Sequence, residues 1–214
     1  MSGTERTTVH LLRHGEVYNP AGVLYGRLPG FRLSADGEEM AERAAQWFDG
    51  HDITHLVVSP LERARQTVEP LEKLSGLAAV VDDRVIESTN KFEGSTVEFG
   101  PEALRKPSMW RYIYNPFRPS WGEPYKQVAK RMLSAAESAR AAAVGHEAVI
   151  VSHQLPIWTA RRAAEGATLW HRPDRRQCAL ASVTSLHYVG DQLVAVSYAE
   201  PCGPTVKKPG TVGA

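Results

Sequence analysis

Six short apolar runs, at 8–13, 54–59, 79–82, 148–152, 181–188 and 192–198, punctuate this chain. Between most of them lie longer stretches whose apolar residues recur at helical spacing. A chain that alternates strand and helix in this way can satisfy its strand edges by parallel pairing and bury both sheet faces under helices. The expected fold is therefore α/β: a three-layer sandwich, with a mostly parallel central sheet and helices on both faces. Gly190-Asp191, between the last two runs, predicts a hairpin, so that end of the sheet should be antiparallel.

The helices carry their own punctuation. Ser34 stands ahead of a run in which Met40, Ala41, Ala44, Ala45 and Phe48 share one face. Ser59-Pro60-Leu61-Glu62 reads as a capping box with proline at the first helical position. Pro70 is expected to kink or end the helix that follows. An Ala-rich helix is predicted over 123–144, and a last one from Leu155-Pro156 to Gly166.

With 214 residues the chain is expected to form one domain over 1–200, with a flexible tail over 201–214 that is rich in Pro, Gly and Lys. Residues 106–125 hold Trp110, Tyr112, Tyr114, Phe117, Trp121 and Tyr125 in a proline-containing excursion, either a packing element or a cap over a pocket. A net charge of +1 offers no global field for nucleic acid or an anionic membrane, so neither is an expected partner. Cys178 and Cys202 make no disulfide framework, and no CxxC, HExxH or HxH pattern offers a metal set. Without an apolar leader or a run of membrane-spanning length, the expected location is cytoplasmic. No cofactor or metal is expected, and the oligomeric state is left open.

Three strand ends carry polar groups that a packed sheet has no use for: LLRHG, VVSPLERAR and VIVSHQ. Ligands of parallel sheets bind beyond the carboxyl ends of the strands. In the first, Arg13 brings a planar fork suited to phosphate oxygens, His14 a nucleophilic nitrogen, and Gly15 a sharp turn. In the second, Arg63 lies in the first turn of a helix, where free N–H groups already favour anions; Arg65 should face solvent. In the third, His153 occupies the same strand-to-helix position as His14. Two imidazoles and two guanidiniums at neighbouring strand ends would form a cage for a phosphoryl group. Transfer also needs a proton for the leaving oxygen, and Glu87, behind Val85-Ile86, is the candidate carboxyl whose pKa burial would raise. Glu93 and Glu16 are the alternatives, Glu16 with a structural or substrate-orienting role.

Taken in order, LLRHGE, YGRLPGFRLSADG, VVSPLERARQT, IESTNKFEG, GEPYKQVAKRM and VIVSHQ resemble the histidine phosphatase superfamily, also called the phosphoglycerate mutase-like family. The resemblance implies that His14 attacks phosphorus and Glu87 acts as general acid and base. Arg13, Arg63 and His153 would hold the phosphoryl oxygens. Asn19, Tyr25, Gly26 and Gln154 become candidate substrate contacts. Around this core the chain departs from the family's pattern: Val17 stands where a Ser or Thr is usual, Asn19 lies five rather than six residues after the histidine, Lys91 replaces a Gly, and Gln154 replaces the Gly after the second histidine.

The expected activity is hydrolysis of a small phosphomonoester through a phosphohistidine, without a metal. The alternatives are a phosphoglycerate mutase and a phospho-ligand binding module that has lost turnover.

Overall fold

Alternation along the central strands decides the layers. In the computed structural model, which describes residues 4–95 and 122–203, a six-stranded sheet is ordered β3-β2-β4-β1-β5-β6. The strands are β1 (Arg6–Arg13), β2 (Ile53–Val58), β3 (Val80–Val81), β4 (Glu147–Ser152), β5 (Val183–Val189) and β6 (Gln192–Ala199). β3, β2, β4 and β1 run parallel, while β5 and β6 are antiparallel additions joined by the expected hairpin, with Val189 opposite Gln192. The sheet is thus mostly parallel, and the six apolar runs each supply one strand.

Successive side chains leave a strand on opposite faces. Val9 and Leu11 of β1, Val57 of β2, and Ala148 and Ile150 of β4 enter one core with Val128, Met132, Ala136 and Ile157. Leu12, Leu56, Val58, Val149 and Val151 enter the other, with Ala44, Phe48, Val68 and Leu71. The first core is roofed by α3 (Tyr125–Ala142) and α4 (Gln154–Ala164), the second by α1 (Ala35–Trp47) and α2 (Glu62–Ser75). Ser34 caps α1 as expected, its side chain accepting the Gly37 N–H at 3.0 Å.

One local expectation fails, and one half of another. α2 begins at Glu62 behind Leu61, with no side-chain cap, so Ser59-Pro60-Leu61-Glu62 is not a capping box. The Ser59 hydroxyl lies instead 2.7 Å from His153 Nε2, and the Glu62 carboxylate accepts the Gly30 N–H at 2.6 Å. Nor does Pro70 end α2, which runs on to Ser75 and stops at Gly76 in the left-handed region (φ 70°). Val68 and Leu71, both buried on either side of the proline, keep the helix docked despite the lost backbone bond.

Trp110, Tyr112, Tyr114, Phe117 and Trp121, and the tail beyond 203, lie outside the described residues. Among the described residues no helix is long and apolar enough to cross a membrane.

Candidate active site

β4 lies between β2 and β1, so the ends of all three open onto one spot. His14 is the first residue past β1. Its N–H donates to Ser152 O at 3.1 Å, and its carbonyl accepts the Ala181 N–H at 3.3 Å. The turn that follows must be glycine: a Cβ on Gly15 would stand 2.5 Å from the Gly37 carbonyl oxygen, at the first turn of α1. The Gly15 N–H donates to Thr67 Oγ1 at 3.1 Å, and that hydroxyl donates to Arg63 O at 2.7 Å. One hydroxyl therefore ties the His14 turn to the helix that carries Arg63.

The His14 ring is fully buried. A carbonyl can only accept, so the 2.8 Å contact between Nδ1 and Gly15 O puts the proton on Nδ1. In the neutral ring this leaves a lone pair on Nε2, which has no protein partner among the described residues. Burial, and then the charges of Arg63 and Arg13, hold the His14 pKa well below its ordinary 6.5. A neutral imidazole with a fixed tautomer and an open nitrogen is able to act as a nucleophile. His153, also fully buried, has its ring centroid 5.1 Å from that of His14. Its pKa is lowered in the same way, by burial first and then by Arg63.

Two buried cations, Arg63 and Arg13, stand around these rings. Arg63 is 1% exposed; it donates to Gly26 O at 2.7 Å and lies 4.8 Å from the centre of the Tyr25 ring. Arg13 is buried at the end of β1 and donates to Cys178 O at 2.7 Å. Carbonyls and a ring face orient a guanidinium without cancelling its charge. Burial pushes the Arg63 pKa down, which marks how thoroughly it has been desolvated.

Glu87 is the one buried carboxylate among the described residues. The short helical turn at Asp83–Val85 delivers it. That segment is held from two sides, by Ser152 Oγ donating to Val85 O and by Arg131 Nη1 donating to Arg84 O and Ile86 O, each at 2.7 Å. Its Oε1 accepts the Ser88 N–H at 2.8 Å, while Oε2 has no protein partner among the described residues. Burial raises its pKa, against the opposing pull of that N–H and of Arg63, Arg176 and Arg13. A carboxyl that resists ionisation can hold a proton for delivery.

Beside Glu87 opens a cleft lined by Leu24, Gly26, Asn90, Tyr125 and Arg176. Arg176 had no motif to announce it. Its Nε donates to His171 Nε2 at 2.9 Å, an acceptor because burial holds His171 down at about 4 and its Nδ1–H is spent on Leu169 O.

The family profile of the histidine phosphatase superfamily (branch 1) matches residues 9–201. The chain belongs to that superfamily. The uncharacterised protein Rv0525 of Mycobacterium tuberculosis is 53% identical to this superfamily member over 197 residues, 92% of this chain and 98% of the relative. A probable phosphoglycerate mutase, GpmB, of Yersinia enterocolitica is 31% identical over 156 residues, 70% of each chain. Among solved structures, a mycobacterial glucosyl-3-phosphoglycerate phosphatase superposes with a TM-score of 0.71 at 23% identity, over 90% of this chain and 97% of that one. At that identity the likeness is one of fold.

In this member of the superfamily the five residues singled out in the sequence, Arg13, His14, Arg63, Glu87 and His153, are all buried in one electrostatic cluster. The outer candidates divide. Tyr25 and Gly26 hold Arg63 in place. Gln154 bridges, accepting from Arg176 at 3.3 Å and donating to Cys178 O at 3.4 Å. Asn19 is turned onto its own loop, donating to Val23 O and accepting the Val23 N–H. Glu16 accepts the Ser34 hydroxyl at 2.7 Å, a structural role, and Glu93 braces the Asn90 loop at 3.2 Å. Arg65 is exposed, as expected.

Proposed function

We propose that this chain hydrolyses a small phosphomonoester through a phosphohistidine on His14. The observation that carries the reading is the open Nε2 of a buried, neutral His14 set beside the buried guanidiniums of Arg13 and Arg63. Nε2 attacks phosphorus in line and the P–O ester bond breaks. The departing oxygen takes the proton that Glu87 holds. The Nδ1–H bond to Gly15 O supports the positive charge that the ring gains. A water then gives its proton to the Glu87 carboxylate and its oxygen to phosphorus. The N–P bond breaks and inorganic phosphate leaves. Arg13, Arg63 and His153 hold the phosphoryl oxygens, where charge shifts during transfer. Each step draws on imidazole, carboxyl and guanidinium groups, so the reaction as written needs no metal ion.

Arg176 suggests more about the substrate. It lines the cleft on the Glu87 side, where the leaving alcohol would lie, so an anionic substituent on that alcohol would meet a cation.

The test is phosphate release from a panel of phosphomonoesters, with EDTA present, by the unaltered chain, His14→Ala and Glu87→Gln. Turnover should vanish in His14→Ala. Glu87→Gln should lose roughly 10²–10⁴ in kcat on alkyl phosphates and far less on an aryl phosphate whose leaving group needs no proton. Equal losses on both would remove Glu87 from the acid role. A mutase, as the name of the Yersinia relative suggests, would instead require a bisphosphorylated primer and release little phosphate.

A further inference from the structure

A second cluster lies at the other end of the sheet. His10, within β1, puts Nε2 2.8 Å from Glu147 Oε2 at the start of β4. His51, in the connection between α1 and β2, puts Nδ1 2.6 Å from the same oxygen. One potential ligand atom from each residue lies within 4.8 Å of the other two. Glu147 and His153 are six residues apart along the chain, roughly 20 Å of extended strand, so this is not part of the phosphoryl site. Sequence gave no hint of it, because Glu147 is 137 residues from His10 and 96 from His51.

We propose that His10, His51 and Glu147 form a binding site for a single divalent transition-metal ion of the zinc type. Two imidazoles and a carboxylate are a borderline ligand set of the kind such ions take. The surroundings are built as such a site would need. His10 is buried and held from behind by Ser185, whose hydroxyl is 2.8 Å from Nδ1. A hydroxyl can donate or accept, so it suits the ring whether Nε2 carries a proton or a metal. Phe48 packs 5.2 Å from the His10 ring and Trp47 4.9 Å from the His51 ring, which fixes both planes. The side chains of His51 and Glu147 are 29% and 27% exposed, so an ion has a way in and water can complete its shell. Nitrogen and oxygen ligands at about 2.0–2.1 Å from a tetrahedral ion stand roughly 3.3 Å apart. The two imidazole–carboxylate contacts therefore open by about half an ångström on loading, within reach of two partly exposed side chains. Bound there, the ion replaces the ring protons in those two contacts. It also clamps the α1–β2 connection to β1 and β4.

The experiment is titration of the EDTA-stripped full chain with Zn²⁺ by calorimetry, repeated with Co²⁺ followed by its visible absorption. Expected is saturable binding of one ion, a tetrahedral-type Co²⁺ spectrum, and a melting temperature that rises with Zn²⁺. His51→Gln and, independently, Glu147→Gln should each weaken binding by about tenfold or more, with far-UV circular dichroism confirming the fold. Binding should survive in His14→Asn, which disrupts the pair of active-site imidazoles, and in His146→Gln, which removes the neighbouring His146–Asp52 pair. Absence of saturable binding would overturn the site. So would indifference to both His51→Gln and Glu147→Gln, or loss of binding in His14→Asn or His146→Gln.

Discussion

A nucleophilic His14 has to be neutral, and that requirement can be read from stability before any substrate is known. Burial and two arginines hold its pKa well below the 6.5 of an exposed ring. Below pH 6.5 the unfolded chain takes up a proton at this position that the folded chain refuses. Stability from this group is therefore full above 6.5 and falls as the pH drops toward the folded pKa. One proton corresponds to about 1.4 kcal/mol per pH unit, which integrates to a loss of at most about 1.6 kcal/mol between about pH 6.5 and 5. His14→Asn removes the titration while keeping an amide N–H that can donate to Gly15 O. The assay is urea unfolding of both proteins across that pH range. The stability of the unaltered chain relative to His14→Asn should fall by up to that amount, since the other titrating groups are present in both proteins. Parallel curves would mean that folded His14 carries a proton at these pH values, and the nucleophile reasoning would be wrong.

Other perturbations probe the supports. Ser59→Ala removes the 2.7 Å contact to His153 and should lower kcat about tenfold, with about 1 kcal/mol lost from stability in the same unfolding assay. Gly37→Ala would put a Cβ 2.0 Å from the Glu16 carbonyl oxygen, against backbone that cannot turn away; it should cost about 1–3 kcal/mol by urea unfolding. Arg176→Leu should raise KM about 10-fold or more for phosphomonoesters with a carboxylate on the leaving alcohol, and leave KM for neutral ones within about threefold. An equal rise for both would place Arg176 in the phosphoryl cage instead.

Much of this molecule was legible because its local and global signals agree. All six apolar runs became strands, since each combines β-branched content with an alternation that suits a sheet covered on both faces. Arg13, His14, Arg63 and His153 were legible because parallel sheets present ligands at strand ends, a rule that turns position along the chain into position in space. What escaped notice depended on tertiary partners. Ser59 has the look of a cap, but its hydroxyl is engaged by an imidazole 94 residues away, and no local pattern records that. Pro70 breaks isolated helices, yet Val68 and Leu71 bury enough surface to carry α2 past it. Arg176 stands in HRPDRRQC, where three neighbouring arginines look alike; only burial against His171 separates it from Arg172 and Arg175, which stay exposed.

The charge pattern of the site fits phosphate better than its residue types alone would. Burying a guanidinium is costly unless an anion or a set of good acceptors compensates it. Arg63 meets a carbonyl and a ring face, and Glu87, the one buried carboxylate among the described residues, is itself pushed toward its neutral form. A structural ion pair would have lowered that carboxyl's pKa, as the two imidazoles do for Glu147, which they hold near 2. The contrast between these two glutamates separates a carboxyl biased toward its charged form from one biased against it within a single fold.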